Sequence, residues 1–169
     1  MEVRRRQTSD VEELDCLADS VCGLDGYPLR GPDLFSSPET LAAWVGVDAE
    51  AVAGHVALHP ASAAAVMAVA TQATGWATER LVVVARLLVA PTVRRRGVGR
   101  MLLDHAVAEA HRRNRWPVLD VAAQFVGAIA LYESCGWTYA GPVTFRFRDG
   151  TTVREADSLV YVGPRPPNQ

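Results

Sequence analysis

Along this chain the apolar positions change spacing from segment to segment, and the changes mark the elements. Alternation over residues 3–5 suggests a first strand. Thr8, Ser9 or Asp10 can then cap a helix that carries Val11, Leu14, Leu17, Ala18 and Val21 on one side. Gly23 is expected to end that helix. Residues 23–38 hold Asp25-Gly26, Tyr27-Pro28 and Gly31-Pro32 without any sustained period, so they read as a long loop. A loop of that length inside a domain more often carries function than not. Ser37-Pro38-Glu39 offers an N-cap followed by proline at the first helical position, which predicts a short helix through Trp44. Residues 49–52 and 54–58 read as two strands, or as one strand with a turn around Asp48. Residues 62–74 are Ala-rich and helical, with Gly75 as the stop.

The run Leu81–Val89 is apolar except for Arg86, as expected for a central strand buried on both faces, and Pro91 must end its pairing. From residue 100 to 113 the pattern is a helix: Leu102, Leu103, Ala106, Val107 and Ala110 form the core stripe, while Asp104, His105, Glu109, Arg112 and Arg113 are expected to face water. Residues 118–121 form the next strand, and the strand–helix–strand order implies a local parallel pair. A short helix through Tyr132 stops at Gly136. Residues 137–140 begin a strand, 145–148 and 151–153 flank an Asp149-Gly150 turn, and 157–162 close the fold. One domain over residues 1–163 with a flexible tail at 164–169 is expected, since 169 residues with 49% hydrophobic content suit one core.

Charge narrows the function classes. A net charge of −2 and a pI near 6.1 argue against nucleic-acid binding, despite the triplets Arg4-Arg5-Arg6 and Arg94-Arg95-Arg96. Cys16, Cys22 and Cys135 form no CxxC pair, which fits free thiols and a cytoplasmic protein. The longest apolar stretch, near residues 61–70, is too short to span a membrane. His55, His59, His105 and His111 are scattered, so no metal is expected.

The chemistry concentrates where the strand Leu81–Val89 gives way to Arg94, Arg95, Arg96, Gly97, Val98, Gly99 and Arg100 at the head of a helix. Glycines let a ligand approach the backbone, and the first helical N–H groups point outward, so the segment can cradle an anion. It is not a dinucleotide fingerprint, because Leu102 occupies the third glycine position, and it lacks the P-loop ending. Downstream stands Ala128-Ile129-Ala130-Leu131-Tyr132-Glu133-Ser134-Cys135-Gly136-Trp137. Together these segments resemble the GNAT superfamily of N-acetyltransferases: Arg94, Gly97 and Gly99 meet its Gln/Arg-x-x-Gly-x-Gly/Ala motif. Ala128, Leu131, Tyr132, Glu133, Gly136 and Trp137 meet its Ala-x-x-Leu-Tyr-Glu-x-x-Gly-Phe/Trp motif. The resemblance is strongest over residues 81–137 and, locally, extends to the ribosomal-protein alanine acetyltransferases.

The resemblance implies an α/β fold with a mixed, mostly antiparallel sheet whose fourth and fifth strands form a splayed parallel pair, flanked by helices. It implies acetyl-CoA as acyl donor, with Leu87, Leu88 and Val89 along the pantetheine, the Val89 N–H at the thioester oxygen, and Arg94 through Arg100 at the pyrophosphate. Tyr132 takes the place of the acid that protonates the departing thiolate. The base stays open among Asp120, Glu79, His55 and a water chain. Phe125 replaces the family's usual Asn, and no partner that would activate Cys135 is evident. The implied activity is transfer of an acetyl group to a primary amine of a small molecule or peptide. The competing readings are a catalytically inactive acyl-CoA-binding regulatory module and an Arg-mediated nucleic-acid adaptor. Asp25, Tyr27, Asp33 and Trp44 are the candidate acceptor contacts, and the terminal strand edges could pair in a homodimer.

Overall fold

In a computed structural model that describes residues 1–25 and 34–167, the chain runs β1 (Glu2–Arg5), α1 (Val11–Asp25), β2 (Ala42–Asp48), β3 (Ala51–His59), α2 (Ala64–Thr74), β4 (Leu81–Val89), α3 (Val98–Arg112), β5 (Trp116–Ala122), α4 (Val126–Ser134), β6 (Thr138–Asp149) and β7 (Thr152–Val162). The strands form one sheet in the order β1-β2-β3-β4-β5-β7-β6, antiparallel throughout except for β4 beside β5. That parallel pair is short: only Leu81, Val82 and Val83 pair with Trp116, Pro117 and Val118. Beyond them the two strands part.

Helices cover both faces. The α3 stripe of Val98, Leu102, Leu103, Ala106 and Ala110 packs on Trp44, Val56, Leu58, Val82, Val84 and Leu119, with Tyr132 of α4 on the same side. On the other face α1 sets Leu14, Leu17 and Val21 against Val45 and Leu88. There α2 sets Val66, Met67 and Ala70 against Leu81, Val83, Val118 and Val160. Apolar alternation within the strands decides which side chain meets which helix.

Three expectations are corrected. No helix spans Ser37 to Trp44: after a turn at residues 37–39 the segment becomes β2, because Ala42 and Trp44 pack toward α3 while Ala43 and Val45 are buried on the other face. A strand buried on both sides has no polar face to alternate with, so the Ser-Pro-Glu signal outweighed a run without a period. Trp44 thereby belongs to the α3-side core, under the Arg5 guanidinium at 4.6 Å, and not to an acceptor loop. The first helix runs through Gly23 to Asp25. Glu109 does not face water but is buried. Just after β7, His111 Nε2–H donates to the Pro164 carbonyl (2.9 Å) and Arg165 lies over the Trp116 ring. Tyr27, Asp33 and the Asp25 side chain lie outside the described residues.

Among the described residues no helix is long and apolar enough to cross a membrane, and no three His, Cys, Asp or Glu side chains gather as a metal site.

Candidate active site

Strand β4 carries one residue more than its partner can match. His55 pairs with Leu88 and Ala57 with Ala85, so two steps along β3 oppose three along β4, and Arg86, at φ 56°, takes up the difference as a bulge. The bulge reverses the facing pattern: Val82 and Val84 before it, and Leu87 and Val89 after it, all turn toward α3, whereas Leu88 turns toward α1. Past Val83 the β5 side of β4 has no strand partner. The Ala90 N–H bonds to the Ala53 carbonyl on β3 (2.8 Å), so the Val89 N–H, one residue earlier, points the opposite way, into the gap.

After a short turn at Pro91–Val93 the chain passes Arg95, at φ 64°, and reaches Gly97, at φ 83°, the N-cap of α3. Only glycine takes that last conformation without strain. Met101 is the first residue to bond back, to the Gly97 carbonyl at 3.0 Å, so the N–H groups of Val98, Gly99 and Arg100 point outward beside the open strand edge. Gly99 serves a different purpose: a Cβ there would stand 2.9 Å from Leu131 Cδ2, so this glycine lets α3 and α4 close on each other. Arg96 donates to Asp48 (3.0 Å), and Arg100 donates to the Ser134 carbonyl and hydroxyl (3.2 and 2.9 Å). Those two side chains therefore tie the turn to β2 and α4. The outward backbone N–H groups have the exposed Arg94 and Arg95 beside them, and Arg94 Nε donates to the Val89 carbonyl (3.4 Å). Outward amides next to an unpaired strand edge fit a ligand with a diphosphate and an extended, amide-bearing arm.

Tyr132 is buried in the α3-side cluster with Leu119 and Val121, its ring 5.9 Å from Trp137 and 6.4 Å from Tyr161. Its neighbour Glu133 accepts the Tyr161 hydroxyl hydrogen bond (2.9 Å), which fastens α4 to β7. Asp120 lies between Leu119 and Val121 on β5 and so projects from the opposite face, where it accepts hydrogen bonds from Ser158 (2.9 Å) and Ser62 (3.4 Å). Tyr132 and Asp120 thus lie on opposite faces of the sheet. The two serines had no sequence signal, because neither lies in a motif or near Asp120 in the chain.

The other candidate bases fare worse. Glu79 is exposed on the turn that precedes β4, roughly 25 Å of extended strand from Val89. His55 is fully buried and donates its Nδ1–H to the Arg86 carbonyl at the bulge (2.9 Å). Burial pushes its pKa down to about 3, with the Arg6 and Arg86 charges adding to the fall and only the hydrogen bond opposing it. A group so acidic when protonated is a weak base at neutral pH.

The sequence model of the acetyltransferase (GNAT) family matches residues 10–137. A ribosomal-protein alanine N-acetyltransferase of Salmonella typhimurium is 46% identical over 57 residues, which is 32% of this chain and 37% of that protein. Among solved structures, ribosomal-protein-alanine N-acetyltransferase from Brucella melitensis superposes with a TM-score of 0.72 at 19% identity, covering 96% of this chain and 98% of that one. Arabidopsis thaliana NAA60 in complex with acetyl-CoA superposes with a TM-score of 0.72 at 20% identity, covering 95% and 96%. At such identities the likeness concerns the fold.

Proposed function

This chain belongs to the GNAT acetyltransferase family, and from that premise we propose that it is an acetyl-CoA-dependent N-acetyltransferase in which a primary amine, of a small molecule or a peptide, attacks the thioester directly. The observation that carries this reading is the gap: β4 and β5 part after Val83 and Val118, and the open edge of β4 leads to the outward N–H groups at the head of α3. In this reading Leu87, Leu88 and Val89 flank the pantetheine arm. The N–H groups of Val98, Gly99 and Arg100, with Arg94 and Arg95 beside them, hold the pyrophosphate. When bound, acetyl-CoA supplies an acetyl group already activated as a thioester.

The chain's own groups then manage charge and protons. The Val89 N–H, aimed into the gap, takes up the negative charge that gathers on the carbonyl oxygen. The acceptor nitrogen must arrive without its extra proton, because an ammonium has no lone pair. In this reading Asp120, steadied by Ser158 and Ser62, receives that proton directly or through water. As the N–C bond forms and the C–S bond breaks, the Tyr132 hydroxyl gives a proton to the leaving sulfur.

Thiol release from acetyl-CoA across a panel of amines, amino acids, polyamines, aminoglycosides and peptides tests this. Tyr132→Phe keeps the buried ring and removes only the hydroxyl, so kcat should fall about 10²-fold or more while calorimetric affinity for acetyl-CoA holds. Tight binding of acetyl-CoA without release for any acceptor would instead support a regulatory module that kept the cradle and lost the chemistry.

A further inference from the structure

On the face of the sheet opposite α3, between the ground covered by α1 and that covered by α2, the floor is made of alanines. The Arg6 N–H bonds to the Ala43 carbonyl, Ala43 pairs with Ala57, and Ala57 pairs with Ala85, so one line across β2, β3 and β4 has only methyl groups on this face. Larger polar side chains ring that line. His55 and His59 flank Ala57 on the same strand, Arg86 follows Ala85, and Arg6 stands at the β1 end. Thr40 sits beside His59, because the next residue, Leu41, donates its N–H to Leu58. Phe35 stacks edge-on against His55 at 4.9 Å.

Four atoms in this ring are buried without a hydrogen-bond partner: Arg6 Nη1, Thr40 Oγ1, His55 Nε2 and His59 Nε2. Both histidines are more than nine-tenths buried. Buried polar groups are almost always satisfied in folded proteins, so four orphans on one patch ask for a partner from outside the chain. The Arg6 and Arg86 charges act on both histidines and depress them, which places all four groups within one electrostatic neighbourhood. The Asp10 carboxylate acts on Arg6 and is itself held by Arg4. The patch is therefore rich in donors and in positive charge. One atom differs: with Nδ1–H given to Arg86, the neutral His55 ring presents a bare Nε2 that accepts.

Resting on the transferase reading above, we propose that this alanine-floored patch is the acceptor subsite and that the acceptor is a primary amine carrying a carboxylate. The carboxylate is taken by Arg6 and Thr40 with His59, and an N–H of the acceptor is taken by His55 Nε2. His55 pairs with Leu88, the residue before the one whose N–H enters the gap, so His55 marks the end of the patch nearer the thioester. A polyamine or any acceptor with a second cation at this end is disfavoured by the two arginines.

Two experiments on the full chain separate the subsite from the activity. In the first, the imidazole NMR signals are followed while acetate, inorganic phosphate or methylammonium is added. Acetate should move the signals of His55 and His59, recognised by their unusually acidic titration, and leave those of His105 and His111 in place. Methylammonium should move neither pair, and Arg6→Gln should weaken the acetate effect at least tenfold. Signals of His55 and His59 that ignore acetate in the unaltered protein would overturn the proposal, with no variant needed to fold. A response to phosphate with none to acetate would overturn the carboxylate assignment.

In the second, thiol release is compared between amino acids and their amides, and between peptide amides with and without an acidic side chain. Carboxylate acceptors, free or in a peptide, should show KM at least tenfold lower than their neutral counterparts, and Arg6→Gln should erase the difference. Amides used as well as acids would overturn the acceptor assignment while leaving the transferase standing. Acetate bound at the histidines with no thiol release for any amine would sink the transferase reading, and with it the acceptor role of the patch.

Discussion

The two faces of the sheet each bury ionisable groups, and the contrast between them separates structure from function. On the α3 face the carboxylate of Glu109 is 6% exposed and accepts hydrogen bonds from Arg112 Nε (3.0 Å) and Arg113 Nε (2.8 Å), with Arg5 at 3.2 Å. Every lone pair has a donor. On the opposite face Arg6, Thr40, His55 and His59 keep polar atoms with none. A satisfied buried charge clips elements together, here the end of α3 to β1, and needs nothing more from solution. An unsatisfied one holds free energy that a ligand can release, so the second face is where binding is expected.

Removing the clip should have the larger effect on stability. Glu109→Gln leaves three arginines without their shared carboxylate and is expected to cost about 1–3 kcal/mol in denaturant unfolding, with no change in acetyl-CoA affinity. Arginines that keep wild-type stability after that change would mean that solvent already serves them and that the two faces do not differ.

The pH dependence of stability sharpens the contrast, because the two centres titrate in different windows. Burial pushes His55 from the ordinary 6.5 to about 3 and His59 to about 4. Their folded forms bind fewer protons than the unfolded chain, so stability falls as pH drops below about 6.5. For Glu109, burial alone would raise the carboxyl, but the hydrogen bonds from Arg112, Arg113 and Arg5 outweigh it and bring it from 4.5 to about 2. Its contribution is present above 4.5 and is lost as pH falls toward 2. Unfolding measured from pH 7 to 5 should therefore steepen with acid in the native protein and lose close to one proton of slope in His55→Asn, while Glu109→Gln leaves that range untouched. The smallest effect belongs to Arg112→Ala. Its guanidinium is mostly exposed, and Glu109 keeps two other donors, so thermal unfolding should shift by no more than about 1 kcal/mol.

Much of the site was legible in the chain because it is local. The apolar run Leu81–Val89, the glycine turn and the Tyr132 helix each depend on a few consecutive residues, and they stand within a residue or two of where pattern placed them. Gly97 was readable as a turn glycine but not as the left-handed N-cap of α3, and Gly99 was readable as a glycine but not as a contact with Leu131. Arg86 was visible as an interruption in an apolar strand. That it marks a bulge, and thereby turns Leu87 and Val89 toward α3, depends on the register with β3, which no single strand encodes.

By itself, then, the sequence determined the strand–turn–helix–strand order from Leu81 to Val121 and the glycine turn at the head of α3, since backbone propensity and side-chain period act over neighbours, while the candidate acid rested on the family resemblance. Only the tertiary structure decided that Trp44 lies in a strand, that Glu109 is buried by three arginines from two elements, and that Asp120 and Tyr132 face opposite ways. It alone lined up Ala43, Ala57 and Ala85 beneath Arg6, His55 and His59. Those relations join residues tens of positions apart, and they exist only once strand register and helix packing have chosen which faces meet.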